Sequence, residues 1–87
     1  MKDSNGLYYY PNPNEPKARM YVRQGAADIE FRLWQSDHPE VWEKHGWLGY
    51  ELIRNAATVY KEMGKDADPL LLYDENVARA LIQEDRS

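Results

Sequence analysis

The sequence contains no cysteine. That excludes a disulfide framework and any thiolate metal site, and it fits a reducing compartment. Long hydrophobic runs are also missing: no stretch approaches the roughly 20 apolar residues that a membrane-spanning helix needs. The opening Met1-Lys2-Asp3-Ser4-Asn5-Gly6 lacks the apolar core of a signal peptide. A cytoplasmic chain with no membrane contact is the expectation. Hydroxyl nucleophiles are scarce, limited to Ser4, Ser36, Thr58 and Ser87, and none has an evident base partner. The five glycines are dispersed and form no phosphate-binding loop. These absences speak against an enzyme and against a resident cofactor.

Negative charge dominates only one half. Residues 1–35 carry a net +1, whereas residues 36–87 carry −5, within a total of −4. An acidic second half excludes a domain that coats nucleic acid on every side and leaves room for a local basic patch in the first half.

What the chain does have is aromatic rings: seven Tyr, three Trp and one Phe in 87 residues. A chain this short forms one domain with a modest core, and large rings supply much buried area per residue. Residues 1–6 read as a flexible tail and 7–87 as a single α+β domain. Leu7 to Tyr10 is a short β-prone run, and Pro11-Asn12-Pro13-Asn14-Glu15-Pro16 breaks it. Residues 18–24 and 29–35 both alternate with period two around Gly25-Ala26-Ala27-Asp28, the signature of a hairpin. Opposing Gln24 to Ile29 places Val22 with Phe31 and Met20 with Leu33 on one face. The other face then pairs Arg23 with Glu30, Tyr21 with Arg32 and Arg19 with Trp34. A one-residue slip would mix the two faces. Opposing Tyr10 to Lys17 adds a third strand over 7–10. Leu7 and Tyr9 then join the core face, and Tyr8 and Tyr10 the arginine face.

Past residue 35 the period becomes helical. Asp37-His38-Pro39-Glu40 has capping-box spacing and predicts a short helix over 38–45, ended by Gly46. A second helix is predicted over 50–63, with Gly49 as N-cap and Leu52, Ile53, Ala56, Val59, Tyr60 and Met63 as its core stripe. Residues 65–69 read as a loop. The run 69–73 fits a strand and a turn equally. Asp74 caps a last helix over 75–84, with Val77, Ala78, Leu81 and Ile82 inward. The predicted architecture is a three-stranded antiparallel meander with three helices packed on one face.

The surface that could carry function is the opposite sheet face: Tyr8, Tyr10, Arg19, Tyr21, Arg23, Arg32 and Trp34, with Glu30. Arginine and aromatic residues are preferred anchors of protein interfaces. Rings that stack bases beside arginines that hold phosphates also describe single-stranded nucleic-acid binding. Cross-strand pairing alone accounts for the same residues, at about 0.2–1 kcal/mol per pair. His38 and His45 lie about 10.5 Å apart along a helix, too far to share a metal ion. Asp66, Asp68, Asp74 and Glu75 lack the glycine and terminal glutamate of a calcium loop. Trp42 and Trp47 read as packing residues, Trp42 toward the core with Val41 and Trp47 over the Gly46 turn. The expectation is a non-catalytic binding or accessory module that meets a protein partner or a second copy through the arginine–aromatic face. Single-stranded nucleic acid is the alternative.

Overall fold

Residues 18–24 and 29–35 alternate so strictly that a one-residue slip would mix their faces, and the hairpin keeps them apart. The computed structural model describes residues 1–64 and 72–86. In it β3 (Ala18–Gln24) and β4 (Ile29–Gln35) pair antiparallel with Gln24 opposite Ile29, Val22 opposite Phe31 and Arg19 opposite Trp34. The Gly25 amide donates to the Asp28 carbonyl at 2.8 Å and closes the turn.

Among the described residues the sheet has five strands rather than three, lying side by side in chain order. The expected first strand is β2 (Gly6–Tyr9), and its partners differ from expectation. Tyr9 lies opposite Met20 and Leu7 opposite Val22, a shift of two residues. A two-residue shift preserves both faces, so Leu7 and Tyr9 still face the core. Three prolines cannot donate to the ladder. The loop they occupy is folded on itself instead: the Glu15 amide donates to the Asn12 carbonyl at 2.9 Å, and the Asn14 amide to Asn12 Oδ1 at 3.1 Å.

Residues 1–6, read from sequence as a tail, contribute the edge strand β1 (Lys2–Asp3), which pairs with Leu7 and Gly6. Gly6 turns the chain between them at φ 125°, where a side chain would be strained. Lys2 also reaches Asp85 at 3.1 Å. The other edge is β5 (Leu48–Gly49), paired with Phe31 and Glu30.

The described residues also form three helices: α1 (Glu40–His45), α2 (Tyr50–Glu62) and α3 (Glu75–Arg86). The capping box expected at Asp37 does not form. The N-cap of α1 is Pro39, with no side-chain cap. A residue before proline is disfavoured in the α region, so the helix starts beyond His38 and leaves Asp37 out of reach. Gly49 is the N-cap of α2 as expected, but the side-chain acceptor comes from the hairpin: Asp28 Oδ2 accepts from the Glu51 amide at 2.9 Å. Asp74 caps α3, accepting from the Val77 amide at 3.1 Å.

The core joins Met20, Val22, Ile29 and Phe31 of the sheet to Ile53 of α2 and Ala78 and Ile82 of α3. Leu7, Tyr9, Leu33 and Leu81 pack around it, half-buried. Tyr9 ties the start of α3 to the sheet. Its hydroxyl donates to the Leu72 carbonyl at 2.7 Å and accepts from the Asp74 amide at 2.8 Å.

Two helix stripes are narrower than the sequence predicts. In α2 only Ile53 and Ala57 are buried, while Leu52, Val59 and Met63 are 59%, 54% and 66% exposed. Ala56 and Tyr60 are exposed as well, and so is Val77 of α3. Apolar residues wrap so far around α2 that one sheet surface covers only part of the arc. The loop expectation for 65–69, and most of the run 69–73, lie outside the described residues. Among the described residues no helix is long and apolar enough to cross a membrane.

The helices do not share one face. Ile53, Ala78 and Ile82 sit on the core side, but α1 runs beside β4 and sends Trp42 over the opposite side, against Tyr21 and Arg32. Val41 and Trp42 are consecutive, so a helix turns them about 100° apart. Val41 goes to a groove with Phe31, Leu33 and Leu48. The sequence reading put both residues in the core, and the helix at the sheet edge separates them.

Candidate arginine–aromatic site

Alternation along β2, β3 and β4 puts Tyr8, Arg19, Tyr21, Arg23, Glu30, Arg32 and Trp34 on the side away from the core. The rings form a continuous chain across that side. Tyr10 meets Tyr8 edge-on at 5.8 Å between centroids, Tyr8 meets Tyr21 at 5.4 Å, and Tyr21 meets Trp42 at 5.1 Å. Trp42 then meets Trp47 at 6.3 Å. Offset and edge-on pairs of this kind add about 0.5–1.5 kcal/mol each beyond the area they bury.

Each guanidinium lies against a ring of this face and holds an oxygen. Arg19 sits between Tyr8 and Trp34, at 4.8 and 5.2 Å from their centroids, and donates to Asp3 at 2.9 Å. Arg23 lies 4.2 Å from the Trp47 ring and donates to Glu30 at 2.6 Å. Arg32 lies 3.8 Å from the Trp42 ring and donates through Nε and a terminal nitrogen to the Trp42 carbonyl, at 2.9 and 2.6 Å. The predicted ion pair Arg23–Glu30 and the predicted pair Arg19–Trp34 are both present. Arg32, opposite Tyr21 in register, takes Trp42 as its ring instead.

Asp3 is the hub of one end. Its carboxylate accepts from the Tyr21 hydroxyl at 2.5 Å, from Arg19, and from the Asn5 amide at 2.8 Å. Desolvation alone would raise the Asp3 pKa. The Tyr21 and Asn5 hydrogen bonds and the charge of Arg19 outweigh it and hold the carboxyl below its ordinary value. Burial, and then the bond to Asp3, push the Tyr21 hydroxyl above its ordinary value. Tyr8 is also raised, by desolvation first and by Tyr10 next.

The face is thus partly closed. Tyr21 is 1% exposed beneath its neighbours. Arg32 is half-buried under Trp42, and Arg23 is exposed. Tyr8, Tyr10, Arg19 and Trp34 remain half-exposed and form one contiguous end of the face. Sequence reasoning put these strand residues on one face, where the structure also has them, and did not add Asp3, Trp42 or Trp47 to them. One non-local signal pointed toward Asp3 alone: three arginines shared a face with a single acidic residue, Glu30.

The remaining candidates stay apart. His38 pairs with Glu40 at 3.4 Å, both well exposed, and His45 lies at the far end of α1 beside Gln35 and Val41. Among the described residues no three His, Asp or Glu side chains converge to hold a metal ion. Asp66 and Asp68 lie outside the described residues. No family model, curated protein or solved structure matches this chain.

Proposed function

We propose that the chain is a small non-catalytic binding or accessory module, working through protein–protein contacts or self-association at the open end of its arginine–aromatic face. The observation that supports this most directly is the half-exposed group Tyr8, Tyr10, Arg19 and Trp34, held from below by Asp3 and Tyr21. Interface anchors are enriched in Tyr, Trp and Arg. Rings and a cation already fixed by neighbours lose little side-chain freedom when a partner arrives.

The occupied guanidinium groups favour a protein partner over single-stranded nucleic acid. Arg19, Arg23 and Arg32 donate to Asp3, Glu30 and the Trp42 carbonyl. A phosphate approaching Arg19 or Arg23 would meet the carboxylate that each already holds.

The test compares the wild type with Tyr10→Ala/Trp34→Ala, both shown to be folded by circular dichroism and thermal melting. Association, with itself or with a captured protein, is expected to weaken at least tenfold in the double variant. Unchanged association overturns the reading. So does tight binding of a labelled single-stranded oligonucleotide with a log–log salt slope near −2 or steeper, the value for about three released phosphate counterions.

A further inference from the structure

We propose that α2 is a second, separate interface, and that its occupant is another copy of this chain, paired antiparallel along the seam Leu52, Ala56, Val59 and Met63. The seam does not depend on the arginine–aromatic face. It begins with what α2 fails to cover. The helix rests on the sheet through Ile53 and Ala57, and from Thr58 to Gly64 every residue is exposed. An isolated helix of 13 residues is marginal in water and draws its stability from packing of an amphipathic face. The half of this helix from Thr58 onward buries none of its residues.

The exposed apolar residues are ordered. Leu52, Ala56, Val59 and Met63 recur at steps of four, three and four, the spacing of a two-stranded helical seam. The same steps read in reverse, so the seam is complementary to itself when a second copy runs the other way. Leu52 then opposes Met63 of the second copy, and Ala56 opposes Val59. A large residue meets a large one at the ends, and a small one meets a medium one at the centre.

The flanks agree with this orientation. Tyr60 borders the seam on the sheet side, with Ile53 turned into the core, and Asn55 and Glu62 border it on the other. In the antiparallel pair Asn55, a donor amide, meets Glu62, an acceptor carboxylate. No like charges oppose one another, and Arg54 and Lys61 point away from the seam. Two antiparallel helices also place opposite dipole ends together. The projecting half of each α2 would lie along the anchored half of the other. A closed two-fold dimer needs one surface complementary to itself, and the seam meets that condition.

The seam is about 17 Å long and falls short of the roughly 800 Å² per partner of a standard interface, so the dimer is a weak one. Sedimentation equilibrium of the full chain is expected to show a mass near the 10.2 kDa monomer at about 5 µM and an approach to twice that by about 500 µM. Val59→Lys, at an exposed position that leaves the fold intact, is expected to weaken the dimer at least tenfold. The cysteine-free chain allows a second reading of orientation. When Ala56→Cys and Val59→Cys proteins are mixed and oxidised, the mixed disulfide should exceed both self-disulfides. A mass that stays monomeric throughout overturns the proposal. A dimer indifferent to Val59→Lys but lost in Tyr10→Ala/Trp34→Ala also overturns it and moves self-association to the arginine–aromatic face. Self-disulfides in excess overturn the antiparallel arrangement.

Discussion

On one face of the sheet Met20, Val22, Ile29 and Phe31 meet Ile53, Ala78 and Ile82, and no charged group takes part. On the other face Arg19, Arg23 and Arg32 each lie on a ring and hold an oxygen. Both faces come from the same alternating strands. The first is closed by area, which is non-directional and tolerates a change in which helix residue supplies it. The second is closed by contacts that depend on position and angle, each worth about 0.5–2 kcal/mol. Stability should therefore rest mainly on the core face. The arginine face should set where α1 and β1 sit, and so what remains open to a partner.

The substitution that would break this comparison most severely is Phe31→Ala. Phe31 is 0% exposed and touches both Tyr50 and Tyr73, at 5.9 and 5.6 Å between ring centroids. Removing it costs the transfer energy of the ring and leaves a cavity, about 3–5 kcal/mol together. For a domain this small that is a large share of a total of roughly 5–15 kcal/mol. Urea denaturation should find the variant largely unfolded at room temperature or close to it. A loss below about 1 kcal/mol would mean that the core face does not dominate.

The core face was also the part most legible in the sequence. Each strand residue predicted to face inward does so, because the period of two decides which face each residue takes whatever even shift the pairing adopts. Legibility stopped where a contact is made by residues distant in sequence and carries no periodic signal. Asp3 reaches Arg19 and Tyr21 across a sheet edge, and Trp42 reaches Arg32 from a helix. Neither contact leaves a local trace in the chain. In α2 the pattern announced an amphipathic helix, yet the apolar arc contained two overlapping stripes. Nothing in the sequence said that Ile53 and Ala57 would take the sheet and leave Leu52 and Val59 outside.

The arginine face should respond next. Arg32→Ala removes two hydrogen bonds to the Trp42 carbonyl and the cation on its ring. Hydrogen bonds from a charged donor contribute about 1.5–3 kcal/mol, and the loss is expected in that range. Tryptophan emission should shift to the red as Trp42 and α1 loosen, while far-ultraviolet dichroism of the sheet is retained. Arg32→Lys should recover less than half of the loss, because one ammonium cannot present two fixed donors to the same carbonyl. Full recovery by lysine would show that charge over the ring, and not the paired hydrogen bonds, positions α1.

The smallest expected effect belongs to Tyr9, a core-face residue that nevertheless works through direction. Its hydroxyl joins the Leu72 carbonyl to the Asp74 amide. Both residues are exposed, so water can replace the hydroxyl and Tyr9→Phe should cost only about 0.5–1.5 kcal/mol at neutral pH. Alkali sharpens the test. Burial, offset in part by the Asp74 hydrogen bond, pushes the Tyr9 hydroxyl from 10.0 up to about 12. A pKa raised in the folded state means that the folded chain holds this proton more tightly than the unfolded chain. The associated stability is fully present below about pH 10 and is lost as pH climbs toward about 12. Phenylalanine has no proton to lose, so the gap between wild type and Tyr9→Phe should narrow steadily across that window. Other raised tyrosines, Tyr8, Tyr21 and Tyr73, lower both proteins alike there. Denaturation at a series of alkaline pH values reads the gap directly. A gap that stays constant from pH 9 to pH 12 would mean that the hydroxyl is not held in the folded state, and that the start of α3 is fixed by packing alone.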